Sequence, residues 1–205
     1  MHDTTGVRIL EAREVVRKRP NMFVGSTDER GLNALIVGLI EFSICKVLGN
    51  CTFIQVTLNK DNSFTLVNDH LPISIKTSKE DEKPLLEKIM TQARVSGFSS
   101  EATFVANALS QCSRVEVNYD TSIYKQEYEE GYPKSEIILV EKPDFPEEIE
   151  IAGSIFYPKN LFWFKTDPNV FGLATYNLTT LREVADKITG TQKELAIQLI
   201  DLRVV

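Results

Sequence analysis

Two short runs constrain this chain more than any other feature. Residues 52–58 and 63–67 alternate apolar with polar side chains, and Asn59-Lys-Asp-Asn62 joins them. A period of two places successive side chains on opposite faces of a strand, and a link rich in Asn and Asp is turn chemistry. The pair predicts a β-hairpin. A hairpin with an apolar face needs a cover. Residues 33–48, apolar on most sides, predict a buried helix that Gly49-Asn50 ends.

The same periodicities organise the rest of the chain. Residues 9–18 predict a short amphipathic helix closed by Pro20, and residues 83–95 a helix with Pro84 near its first turn. Residues 101–109 predict a helix with Ser99 and Ser100 as available caps, and residues 178–188 one capped by Asn177. Strands are predicted at 114–119, 123–129, 136–141, 154–157 and 194–205. Residues 142–150, with two Pro and four acids, are the loose connection. Helices interleaved with such strands give an α+β fold class, a two-layer sandwich whose mixed, mostly antiparallel sheet carries helices on one face. A length of 205 residues suits one domain over 1–205.

Composition excludes several function classes. The net charge of −6 argues against a DNA-binding surface over the whole chain, because phosphate contacts need clustered cations. The basic cluster Arg17-Lys18-Arg19 reads as a solvated helix end. Cys45, Cys51 and Cys112 lack C-x-x-C spacing, so neither a zinc site nor a disulfide framework is indicated. Without an apolar signal region or a run of about 18 apolar residues, the expected location is cytoplasmic, with no membrane contact.

Seven strings in order carry a family resemblance. Val16-Arg-Lys-Arg-Pro-Asn-Met-Phe-Val-Gly-Ser-Thr-Asp-Glu-Arg-Gly-Leu32 and the stretch just before it come first, followed by the two hairpin strands. Val95-Ser-Gly97, Val105-Ala-Asn-Ala-Leu-Ser110, Gly153-Ser-Ile-Phe-Tyr-Pro158 and Leu199-Ile-Asp-Leu-Arg203 complete the set. Together they resemble the ATPase domain of the gyrase B and topoisomerase IV B subunits, of the GHKL superfamily. The resemblance implies that domain's fold. It also implies that the family's later transducer domain, with the lysine that reaches the γ-phosphate, is missing from this chain.

The positions where that family works on ATP are altered. Its general base matches Gly38, which has no side chain to accept a proton. Its Mg²⁺-binding Asn matches Phe42, which offers no oxygen to a hard cation. Its adenine-binding Asp matches Asn68, and His70 and Pro72 stand where its glycine pair would be, with His70 read as an exposed turn residue. A pocket-mouth salt bridge is replaced at both ends, by Lys46 and Leu71. The glycine-rich lid is reduced to Gly97-Phe-Ser-Ser-Glu-Ala-Thr103, and Ser154 stands for the family's Thr near adenine. The aromatic run Leu161-Phe-Trp-Phe164 has no counterpart in the family and reads equally as core or as an interaction patch.

The expected function is therefore a pseudo-ATPase of gyrase B type, with no catalytic residue, no metal and no cofactor, residual ATP binding being left open. Its partner would be a protein, in the sharper version a subunit of a type II topoisomerase, and homodimerisation stays open. One alternative is a sensor for a nucleotide or other small ligand, oriented by Asn68 and Ser154 in a pocket lined by Phe42, Leu71 and Ile73. The other is a weak ATPase working through Glu41 and Asp69.

Overall fold

The computed structural model describes residues 10–77, 82–95, 97–144 and 146–203. The predicted start of the first helix at Ile9 and the last two residues of the final predicted strand lie outside them.

Helix α1, Ala12–Lys18, is opened by a reciprocal capping box between Glu11 and Glu14. The short α2, Asn21–Val24, follows Pro20 directly. Helix α3, Glu29–Ser43, starts earlier than the apolar pattern suggests because Asp28 caps it, accepting the Arg30 N–H at 2.9 Å. It also ends sooner, and a 3-10 turn over Lys46–Leu48 leads to Gly49. Strands β1, Phe53–Leu58, and β2, Ser63–Asn68, pair antiparallel as the hairpin the alternation predicts.

Helix α4, Leu85–Thr91, is shorter than expected. Gln92 is already extended, and β3, Arg94–Val95, turns back through Gly97 (φ +95°) to pair with β4, Phe98–Ser99. Helix α5, Glu101–Ala108, runs into β5, Ser110–Tyr119, and β6, Ser122–Glu129, pairs with it. The short β7, Tyr132–Pro133, and β8, Ile138–Val140, both join β6. Strands β9, Ile149–Ile151, and β10, Ser154–Phe156, form a separate hairpin. Strand β11, Asn160–Thr166, is followed by α6, Pro168–Phe171, then α7, Leu178–Thr191, and β12, Ala196–Asp201.

The main sheet has the order β12-β1-β2-β11-β5-β6-β7, with β8 also on β6. Only β12 and β1 are parallel within that order, so the sheet is mixed and mostly antiparallel, as the sequence predicts. One face meets the helices. Ile54, Val56, Leu66, Val115, Phe162 and Phe164 join Leu32, Ile36, Leu39, Phe104 and Leu109 in one core. Under the β9–β10 hairpin a smaller cluster of Phe53, Val67, Ile149 and Leu161 covers the other face, with Phe53 and Phe156 5.0 Å apart.

The aromatic run Leu161-Phe-Trp-Phe164 is thus core rather than an interaction patch. It occupies β11, between β2 and β5. Its side chains feed both clusters, so the strand shows no apolar–polar contrast along its sequence.

Candidate functional site

The positions singled out by the sequence converge where the C-terminal part of α3 crosses the ends of β2 and β11. Gly38 faces α5, and a Cβ placed on it would stand 3.4 Å from the Ala102 Cβ. Phe42, one turn on, is buried and packs its ring among three others. The centroid separations are 6.3 Å to His70, 6.3 Å to Phe98 and 6.1 Å to Phe162, the first and last edge-on. Phe98 reaches this cluster because the β3–β4 turn, the reduced lid, folds back over α3.

Beneath the rings lies a closed polar network. Asn68 ends β2 and donates its side-chain N–H to Ser43 Oγ at 2.8 Å, and Ser43 in turn donates to the Leu39 carbonyl. Asn160 opens β11 directly opposite Asn68 in the sheet register. Its amide donates to Asn68 Oδ1 and to the His70 carbonyl, each at 3.1 Å, and its Oδ1 accepts the Ile73 N–H at 3.0 Å.

The sequence places His70 in an exposed turn, whereas the fold buries it completely. Its Nδ1 lies 2.7 Å from the Leu71 carbonyl and 3.1 Å from the Asn160 amide nitrogen, and the shorter contact assigns the proton to Nδ1, leaving Nε2 as an acceptor. Nε2 is buried and has no partner among the described residues. Burial lowers the imidazole pKa, the Leu71 hydrogen bond opposing it.

Accessibility decides what this site can hold. Asn68, His70 and Asn160 are each 0% exposed, Ile73 2% and Phe42 5%. A zero value means that no space the size of a water adjoins the side chain, so no cavity opens onto Asn68. The oxygen of Asn68 is already bonded, and a purine would have to displace Asn160 to reach it. Neither proton abstraction at Gly38 nor metal ligation at Phe42 is open to the residues present. The residues do not fit a Mg²⁺–triphosphate.

One expected lining residue, Leu71, and one expected orienting residue, Ser154, are elsewhere. Leu71 is 66% exposed and lies over Gly49, where a Cβ would meet Leu71 Cγ at 2.8 Å. Its N–H is fixed to the Leu48 carbonyl, and this turns the side chain outward. Ser154 is exposed on β10, because the Gly153 string forms its own hairpin instead of entering the main sheet. The residue beside Asn68 is Asn160. Sequence reasoning misses it because the aromatic run obscures the strand signal after Pro158.

The remaining candidates are also accounted for. Asp69 accepts the N–H groups of Thr52 and Phe53 at 2.8 and 3.1 Å and so anchors the start of β1. Burial, reinforced by the Asp69 charge, pushes the neighbouring Cys51 thiol up to about 12. Ser100 sits at the cap of α5 but donates its hydroxyl to the Gln92 carbonyl at 2.6 Å. Lys46 lies on the surface of the 3-10 turn. Glu41 is exposed, and together with Glu101 it borders a cavity of about 510 Å³ between α2, α3 and α5, floored by Gly38 and Phe42. Among the described residues, no group of three or more His, Cys, Asp or Glu side chains could hold a metal ion.

The comparisons bear on the fold. The chain is 34% identical to the B subunit of DNA gyrase from Clostridium acetobutylicum, over 99% of its own length and 32% of that protein. It is 32% identical to the B subunit of DNA topoisomerase 4 from Bacillus subtilis, over 98% of its length and 31% of that protein. The solved 43K ATPase domain of Thermus thermophilus gyrase B, in complex with an aminocoumarin, superposes with a TM-score of 0.76 at 27% identity. The match spans 96% of this chain and 50% of that one. The chain is a relative of the gyrase B and topoisomerase IV B subunits.

It has the fold of the gyrase B ATPase domain and spans about a third of the length of the curated relatives it matches. No protein-family model matches it. Among the described residues, no helix is long and apolar enough to cross a membrane.

Proposed function

We propose that this gyrase B relative is a non-catalytic ATPase-like domain that acts by binding a protein partner. The observation that carries the reading is the hydrogen bond from Asn160 to Asn68 beneath the Phe42 ring, which occupies the position adenine would need. The scaffold strings persist in β1, β2 and β12 and in the helices α1, α2 and α5, while the base, the metal ligand and the adenine acceptor are all replaced together. Loss of one group would leave a damaged enzyme. Joint replacement by a packed interior keeps a stable surface without the chemistry. Kinship with type II topoisomerase subunits makes one of these the partner to test first, and it is the basis for placing the chain in the cytoplasm.

The deciding experiment is calorimetric titration with a non-hydrolysable ATP analogue and Mg²⁺. The reading requires no heat up to millimolar nucleotide. Micromolar binding would overturn it and make the protein a nucleotide-gated switch. A second reading, a sensor for a small ligand, draws on the cavity of about 510 Å³ beside Gly38, a size in the usual range for ligands. It requires a rise in melting temperature with a small molecule that Val37→Asp, in the cavity lining, abolishes.

A further inference from the structure

We propose that the groove between α2, α3 and α5 receives one amphipathic helix of a protein partner, with Lys or Arg flanking its apolar face. The inference rests on the protein-binding reading above and names where the partner sits and what it must look like.

The shape favours an elongated occupant. Val37, Gly38 and Phe42 form the floor, Phe23 one wall, and Ala102 and Val105 the other. The floor is low because glycine on α3 opposes alanine on α5. Between Ala34 and Cys45 the groove follows α3 and the turn beyond it. At the helical rise this is ~16 Å, three turns of a docked helix. In the sequence Met22, 69% exposed, precedes the lining residue Phe23, and Val47, 60% exposed, stands two residues after Cys45. Apolar anchors at i, i+3 or i+4 and i+7 are what such a groove accepts.

The charge selects the partner's sign. Glu41 on α3 and Glu101 at the start of α5 both border the groove, and neither side chain pairs with a described cation. Among the described residues, no Lys or Arg lines it. A triphosphate or an acidic helix would be repelled here. A basic one would find its counter-charges in place, and rim charges of this kind act mainly on association rate and salt dependence.

The test is selection of a displayed library of random 16-residue peptides against the protein, followed by binding kinetics on the synthesised winners. The winners should be rich in Lys and Arg and carry the helical apolar spacing. They should bind Glu41→Gln/Glu101→Gln about tenfold more weakly, with the loss in association rate and a shallower salt dependence. Both carboxylates are on the surface, so that variant keeps its fold, and Val37→Asp should abolish binding altogether. Winners that are neutral or acidic, that ignore both variants, or that fail to emerge overturn the proposal. So does a wild-type dimer in sedimentation that Val37→Asp dissociates, since a second copy would then occupy the groove. Winners that map elsewhere remove the groove and leave the protein-binding reading standing, whose own failure is read by the ATP-analogue titration.

Discussion

Asn160 donates to Asn68 Oδ1 at 3.1 Å from the directly opposite position on the neighbouring strand. The same side chain holds the Ile73 N–H and the His70 carbonyl, so one residue joins two strands to the loop that follows β2. Asn160→Ala strands all three groups in a space no water reaches. It is expected to cost about 2–4 kcal/mol, read by urea unfolding. A double-mutant cycle with Asn68→Ala should return a coupling of about 1 kcal/mol, and strict additivity would mean that the two amides do not share their bond.

Restoring the family's groups at Gly38 and Phe42 should not restore its chemistry. Gly38→Glu with Phe42→Asn returns a carboxylate and an oxygen ligand, but Asn68 stays committed to Ser43 and Asn160. The expected outcome is no ATP turnover above background and no Mg²⁺-dependent nucleotide binding, measured on variant protein that keeps the native circular dichroism. Turnover would show that the buried network yields to nucleotide.

His70 makes stability depend on pH in a defined direction. Its imidazole pKa lies below the ordinary value of about 6.5 because burial disfavours the cation. Between the two values the unfolded chain binds more protons than the folded one, so stability rises with pH across that window. The neutral-ring contribution is complete above about pH 6.5 and is lost as the pH falls towards the folded value. Melting temperature should therefore drop between pH 7 and pH 5, and the drop should be smaller in His70→Gln. Equal slopes in both proteins would mean that carboxylates elsewhere account for it.

Arg17 and Asp167 pin the first helix to the ends of α5 and β11. Asp167 is 1% exposed, pairs with Arg17 and caps α6 through the Asn169 N–H at 2.8 Å, while Arg17 also donates to the Ala108 carbonyl at 2.8 Å. Arg17→Ala leaves a buried carboxylate without its cation and should cost about 3–5 kcal/mol in chemical denaturation. Arg17→Ala/Asp167→Asn should recover part of that loss. The bland reading of the basic cluster as a solvated helix end holds for Lys18 and Arg19 and fails for Arg17, because nothing local announces a partner 150 residues away.

The sequence by itself determined the elements whose causes are local. The β1–β2 hairpin follows from alternation and the Asn59–Asn62 turn, α7 from the Asn177 cap, and the loss of the family's polar groups from the residues at 38, 42 and 68. The tertiary structure decided everything that depends on which strands become neighbours. It placed β11 between β2 and β5, brought Asn160 rather than Ser154 against Asn68, buried His70 and turned Leu71 to solvent. The physical reason is range. Periodicity and capping act over a few residues, whereas closing a pocket requires Asn68 and Asn160, 92 positions apart, to satisfy each other in a space from which water is excluded.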